Sequence, residues 1–309
     1  MTSNQTYWWR VGLELKLRQL SGTAFQDFFA ELMLAAHGDS YVRVRPYGQL
    51  GDKGCDGYLA SSGRVHACYG AINGDKDKVG YLISKMSDDF TKAKTHLGTI
   101  MKEWVMTHNL VDGLPIEAIL KLEELKKAEP NISFGFATME SLANVLLSLP
   151  QEKIERLVGP AATAADTHNM DALELKGLID AVMSEVDTRT APPEEIKKVS
   201  PEKLSHNKLP EHWRQLLTLG MQNAGYVSQY FEKHHDALIG EKVAERFRIR
   251  YANLRQQNLE PPAVMTELFR FIVGDGLPPP AKTVAAQALL AHLFESCDVL
   301  EDAPDAVAV

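Results

Sequence analysis

The chain is 309 residues long, 45% hydrophobic and 24% charged, which is room for two ordinary domains with full cores. It contains no run of eighteen apolar residues and no signal-peptide pattern in its first ten residues, so neither a membrane span nor export is expected. A net charge of −8 with a pI near 5.7 argues against a protein that grips DNA unaided, because neutralising phosphates supplies most of such affinity. Three cysteines without CxxC spacing fit a reducing, cytoplasmic setting.

From about Leu13 to Leu157 the pattern is mixed α/β. Phe25, Phe28, Phe29, Leu32 and Met33 recur at helical spacing over 23–36, and Gly38 stops that helix. Tyr41–Arg45 alternates with period two and reads as a strand. Two more short strands, Cys55–Ala60 and Arg64–Tyr69, flank a turn at 61–63. Helical periodicity returns over 78–97 through Val79, Leu82, Ile83, Met86 and Phe90. A buried-type strand over Glu103–His108, a helix over 115–128, a strand over 132–136 and a helix over 139–148 follow. Beyond Gly159-Pro160 an amphipathic helix covers 169–187, and 188–201 is a polar stretch with Pro192-Pro193. From Leu209 onward the period is helical over 210–235, 238–257, 261–273 and 281–297. The expected organisation is an α/β domain with a central mixed sheet over 1–160, a helix and linker over 161–208, and an all-α interaction domain over 209–309.

A helix, three meandering strands, a helix and a strand resemble the core order of restriction-endonuclease-like nucleases. In that fold the second strand supplies an Asp, and the third an acidic residue (or Gln) and a Lys two positions apart; the acids hold Mg²⁺ through hard oxygen ligands. Asp56 takes the metal-binding Asp position. If Ser62-Gly63 is a two-residue hairpin loop, Asp56 faces Tyr69 and Tyr58 faces Ala67, so Ala67 and Tyr69 stand where an acid and a Lys are needed. On the first helix a Glu is often found after a Phe, and here Gln26 follows Phe25. Asp27 and Glu31 remain on that helix, but Glu31 lies about 140° around it from Gln26. An intact site therefore requires a Lys relocated to the next helix, and Lys85 is there. The site would be Asp56, Lys85 and one of Gln26, Asp27 or Glu31, with Mg²⁺ on Asp56. Otherwise Asp56 caps the Gly54–Gly57 turn.

Arg43, Arg45 and Lys53 form one basic group and Arg246, Arg248 and Arg250 another; each is either a nucleic-acid contact or solvated surface charge. Cys55, His66 and Cys68 approach one another on the hairpin, but a fourth zinc ligand is missing and packing is the better reading. His234-His235 reads as a solvated helix end, and Leu293, Phe294 and Cys297 as core. Glu295, Asp298 and Glu301 make an acidic stripe, either solvated or a dock for a basic partner. Gly48, Gly51, Gly54 and Gly57 recur every three residues, as in a tight β-connection or a loop against a phosphate. No P-loop occurs, so any ATPase must be a separate chain.

Val44-Arg-Pro-Tyr-Gly-Gln-Leu-Gly-Asp-Lys-Gly-Cys-Asp-Gly-Tyr58, Cys68-Tyr69 and Trp104-Val-Met-Thr-His-Asn109 resemble the N-terminal domain of proteins from ABC-ATPase three-component systems. Lys203–Leu209, Phe231-Glu232, Gly240-Glu241, Phe247-Arg248, Tyr251 and Leu293–Glu301 resemble the helical C-terminal domain of the same family. The resemblance implies a subunit of a bacterial anti-phage or anti-plasmid system, beside an ABC/SMC-type ATPase and a small third subunit. Relatives commonly carry Gln where this chain has Ala67 and Asn where it has Cys55, which points to a degenerate nuclease-like domain acting as a scaffold or nucleic-acid sensor. An active Mg-dependent DNA endonuclease with a relocated Lys is the alternative. The oligomeric state stays open.

Overall fold

A computed structural model describes residues 2–46, 51–72, 78–184, 207 and 209–296. Gly48, the Pro192-Pro193 stretch, Cys297, Asp298 and Glu301 lie outside the described residues. The chain divides into two compact units, Lys16–Leu157 and Met1–Leu15 with Val158–Val309.

The first unit is the α/β half. Helix α1 (Ser3–Gln19) enters it, followed by α2 (Gly22–His37), β1 (Tyr41–Arg43), β2 (Gly57–Leu59), β3 (Arg64–Tyr69), α3 (Val79–Leu97), β4 (Glu103–His108), α4 (Ile116–Ala128), β5 (Ser133–Ala137), α5 (Met139–Leu147) and α6 (Gln151–Val158). The five strands lie in chain order. β1, β2 and β3 are antiparallel, whereas β3, β4 and β5 run parallel with α3 and α4 as crossovers. Parallel strands covered on both faces read as unbroken apolar runs, and β3 and β4 are buried from Val65 to Tyr69 and from Trp104 to His108. Val65, Ala67 and Tyr69 pack with Leu82, Met86 and Phe90 of α3 and with Trp104 and Met106. His66, on the opposite face, sets its ring 5.0 Å from that of Phe29 of α2.

The hairpin register differs from the expected one. Gly57 pairs with His66, Tyr58 with Val65 and Leu59 with Arg64, a slip of two residues that closes a four-residue loop, Ala60–Gly63. The Gly63 N–H donates to the Leu59 carbonyl at 3.0 Å, and Gly63 adopts φ +71°, which glycine tolerates without steric cost. Its carbonyl then accepts from Lys102 N–H at 2.9 Å, which ties the loop to the start of β4. Because the slip is by two, every side chain keeps its face. Asp56, however, stands abreast of Ala67 rather than Tyr69, with its N–H donating to the His66 carbonyl at 2.8 Å.

Helix α1 has no counterpart among the expected elements. Val11, Leu13, Leu15 and Leu17 alternate as in a strand, yet all four are fully buried on a helix. A helix surrounded by protein needs no polar face, so its periodicity is lost.

The second unit is helical: α7 (Ala164–His168), α8 (Ala172–Ser184), α9 (Glu211–Lys233), α10 (Ile239–Gln256), α11 (Pro261–Val273) and α12 (Pro280–Glu295), with the first residues of α1. α12 is buried almost throughout from Thr283 to Phe294, including the expected core residues Leu293 and Phe294. α9 crosses it at Gly220, where a Cβ would lie 2.6 Å from the Gln287 carbonyl oxygen. The Trp8 and Trp213 rings lie 5.1 and 6.2 Å from that of Phe269. Leu175, Leu178, Ile179 and Val182 bury one face of α8 in this core. The units therefore divide the chain differently from the expected boundaries: 1–15 and 161–184 belong with the helical half, because their apolar side chains are buried there.

Candidate functional site

The Gly-rich connection leads into β2 through a tight turn. Asp52 Oδ1 accepts from the Gly54 N–H at 2.9 Å, while Gly51, Lys53 and Gly54 all have φ near +60 to +73°. Gly54 packs so closely on α3 that a Cβ would lie 2.2 Å from the Asp89 carbonyl oxygen. A Cβ on Gly57 would lie 1.9 Å from the Tyr41 hydroxyl. Sterics thus account for both glycines as a tight β-connection. Lys53 is half-buried in the turn.

Asp56 extends from this turn toward β3, where its Oδ2 accepts the Cys68 N–H at 2.6 Å. Burial pushes its pKa up to about 6; the Cys68 N–H and the Lys85 charge work against that rise, and Asp52 and Asp89 add to it. Lys85 donates to Asp89 Oδ2 at 2.6 Å from one turn earlier on α3. Burial alone would lower the Lys85 pKa, but the Asp89 hydrogen bond and the charges of Asp89, Asp56 and Tyr81 hold it above the usual lysine value. Asp56 and Lys85, singled out in the sequence, thus fall within each other's field. Asp89, which the sequence analysis missed, is the partner that binds the ammonium. The signal for it was the Lys-x-x-x-Asp spacing on one helix, which brings residues i and i+4 together.

The other candidates do not join them as a metal site. Among the described residues, no three His, Cys, Asp or Glu side chains are grouped so as to hold a metal ion. Gln26 is half-buried, Glu31 is exposed, and Asp27 is ion-paired with Arg43 and Arg45. Ala67 and Tyr69 are buried against α3, so the third strand brings neither acid nor ammonium. Among the described residues, those at this site do not fit a Mg²⁺ centre. Cys55 and Cys68 are buried free thiols; burial pushes Cys55 up to about 12 and Cys68 well above its ordinary value, so both are weak ligands at neutral pH. His66 shares a 2.9 Å hydrogen bond with Thr107, and burial lowers its pKa to about 3.

The basic groups are answered locally. Arg43 and Arg45 share Asp27, Arg248 pairs with Glu241 and Glu245, and Arg250 lies 3.7 Å from Glu267 and over the Phe271 ring. A further lock escaped the sequence analysis. Asn109 donates to the Leu17, Leu20 and Ala71 carbonyls and accepts the Ala71 N–H, joining the end of α1 to the segment after β3.

Residues 174–301, from α8 through α12, match the family described as C-terminal domain 10 of the ABC-three component (ABC-3C) systems. No curated protein and no solved structure matches the chain. The ABC-3C match starts within α8, so the similar region takes in most of this helix. No helix among the described residues is long and apolar enough to cross a membrane.

Proposed function

We propose that this chain is a subunit of a bacterial ABC-3C defence system. Its helical half docks partner chains, an ABC/SMC-type ATPase and a small third subunit. Its α/β half is a degenerate nuclease-like domain that serves as a scaffold or nucleic-acid sensor. The observation that carries this reading is the mutual consumption of polar groups around Asp56. One oxygen of the Asp56 carboxylate accepts the Cys68 N–H, the Lys85 ammonium is bound by Asp89, and the third-strand positions are filled by buried Ala67 and Tyr69. A carboxylate and an ammonium already engaged inside the protein are less available to a substrate than free groups would be.

The test combines plasmid and linear DNA with the purified chain in Mg²⁺ or Mn²⁺, and phage challenge of cells expressing the complete system. The scaffold reading expects no cleavage and full protection by Asp56→Asn. Cleavage abolished by Asp56→Ala would overturn it. The opposite reading, an active endonuclease, draws on the raised Asp56 pKa and its electrostatic link to Lys85; it requires cleavage to vanish in both Asp56→Asn and Lys85→Met.

A further inference from the structure

The helical unit has an open cleft of about 660 Å³ between α8 and α9, within the size range of small-molecule sites. Its lining includes the buried Leu175 and the half-buried Met170. On α9, Tyr226, Tyr230 and Lys233 recur at i, i+4 and i+7 and so share one helix face. Tyr226 is 60% exposed, and an uncovered ring in a concave, partly apolar lining is the composition of a ligand site. From α8, Lys176 donates to Asp180 Oδ2 at 2.5 Å, which leaves Asp180 Oδ1 without a partner among the described residues. Burial, then the Asp180 charge, raise the Tyr230 pKa and Lys176 lowers it, so this pair lies beside the middle residue of the face. Lys233 and His235, both exposed, have no hydrogen bond or ion pair among the described residues. The lining also brings the end of α9, at His234, to the first residue of α8, Ala172. The negative end of one helix dipole is thereby offset by the positive end of the other, and the Lys233 ammonium keeps its attraction for an anion.

Taken along α9, the cleft presents a bare ring, then a carboxylate oxygen, then an unpaired ammonium. Tyr226 and Lys233 stand seven residues apart, roughly 10 Å along the helix axis. Gln229, three residues after Tyr226 and also in the lining, adds an amide donor and acceptor beside the ring. A tyrosine face stacks any nucleobase, a carboxylate accepts ribose hydroxyls, and a lysine ammonium is a point charge for phosphate. Other occupants match less of the lining. A bare anion leaves the ring and the Asp180 oxygen unused, and a cation meets Lys233. An apolar helix would cover Lys233 and Asp180 without answering them, which is costly.

We propose that the α8–α9 cleft binds a nucleotide, with its base stacked on Tyr226, its ribose hydroxyls donating to Asp180 and its phosphates on Lys233 and His235. Free nucleotides and the 5′-phosphorylated ends of RNA single strands share this chemistry. The assignment does not rest on the pseudo-nuclease reading, since every residue it uses lies in the helical unit.

The test is isothermal titration calorimetry of the full-length protein in magnesium-free buffer. ATP, adenosine, inorganic triphosphate and a 5′-phosphorylated oligouridylate are separate probes. ATP should bind at one saturable site, and adenosine and triphosphate should each bind roughly tenfold more weakly or worse, because each makes only part of the contacts. Tyr226→Ala should weaken ATP binding roughly tenfold and leave triphosphate unchanged. Lys233→Glu should weaken ATP and triphosphate alike and leave adenosine unchanged. Both residues are exposed, and circular dichroism checks that the fold is retained. Whichever of ATP and the oligouridylate binds more tightly names the source of the ligand, and either one showing these losses supports the proposal. No saturable binding of either, triphosphate binding as tight as ATP, or binding indifferent to both substitutions overturns it. A peptide of alternating Glu and Leu that binds and is weakened by both substitutions, while ATP and the oligouridylate do not bind, assigns the cleft to a protein segment and also overturns it.

Discussion

Two groups of polar side chains in this protein stand in contrast. Around Asp56, in the α/β unit, half-buried charges are engaged from within the chain: Lys85 by Asp89, one Asp56 oxygen by the Cys68 N–H, and the turn backbone by Asp52. Around Tyr226, in the helical unit, the side chains face solvent, and Lys233 is left without a counter-charge among the described residues. The first arrangement resembles a catalytic centre by residue type, yet its geometry is that of a structural clamp between the Gly-rich turn and α3. The second has no catalytic pattern and has the openness that binding needs. Residue types suggest chemistry, but whether a side chain is already engaged decides whether it can perform it.

The largest effect that can break this contrast is steric. Gly54→Ala forces an alanine to φ +73° and against the Asp89 carbonyl, and Gly57→Ala drives a methyl group into Tyr41. Each should cost about 3 kcal/mol of stability, measured by urea denaturation followed by circular dichroism. A change below about 1 kcal/mol would mean that the turn is not clamped to α3 and β1 as described.

Next comes the ion pair. Asp89→Asn leaves the half-buried Lys85 with only the more distant field of Asp56 and should cost about 2 kcal/mol. Adding Lys85→Met should restore part of that loss, since the uncompensated charge is then gone. A double-mutant cycle with no coupling would remove the clamp from the comparison.

The Asp56 carboxyl gives a pH signature. Its pKa in the folded protein is raised to about 6 from 3.8, so the folded state binds its proton more tightly than the unfolded chain does. The stabilisation is complete below about pH 4 and is lost as pH rises through 6, an effect of roughly 3 kcal/mol. His66 and His108 act with the opposite sign. Burial lowers their pKa values to about 3 and about 4, so their stabilisation is present above about pH 6.5 and is lost on acidification. Asp56→Asn should therefore gain on the wild type between pH 4 and pH 7 while the shared histidine loss cancels in the difference. A flat difference curve would show that Asp56 is not held in a desolvated position.

The smallest effect is expected at the basic group beside α2. Arg45→Ala removes an exposed partner of Asp27, 3.3 Å away, and should change stability by less than about 0.5 kcal/mol. If it abolishes phage protection without altering stability, the group contacts a nucleic acid or partner rather than balancing Asp27.

Most strands and helices of the α/β unit were legible because one-sided burial leaves a period in the sequence, as in Phe25–Met33 and Val79–Phe90. The failures have specific causes. α1 was hidden because burial on all sides erased its period, and the β2–β3 register was misjudged because the loop is four residues, Ala60–Gly63, rather than Ser62-Gly63. At the candidate site, Asp56 and Lys85 could be picked out by type and position. Asp89 is signalled only as the i+4 partner of Lys85; that its backbone also abuts the Gly54 turn depends on α3 folding over that turn, a contact between segments more than thirty residues apart.

By itself, then, the sequence determined the fold class, the two-part character of the chain, and the absence of an acid and a Lys from the third strand, since these depend on local period and residue identity. The tertiary structure decided which residues belong to which unit, that Asp56 meets the Cys68 N–H, and that the α8–α9 face is open. Those outcomes depend on long-range packing: which apolar faces meet, and which charges are desolvated when they do. A local pattern carries no record of its distant neighbours, so a carboxylate in a strand-turn reads the same whether it faces a substrate or, as Asp56 does here, the backbone N–H of the next strand.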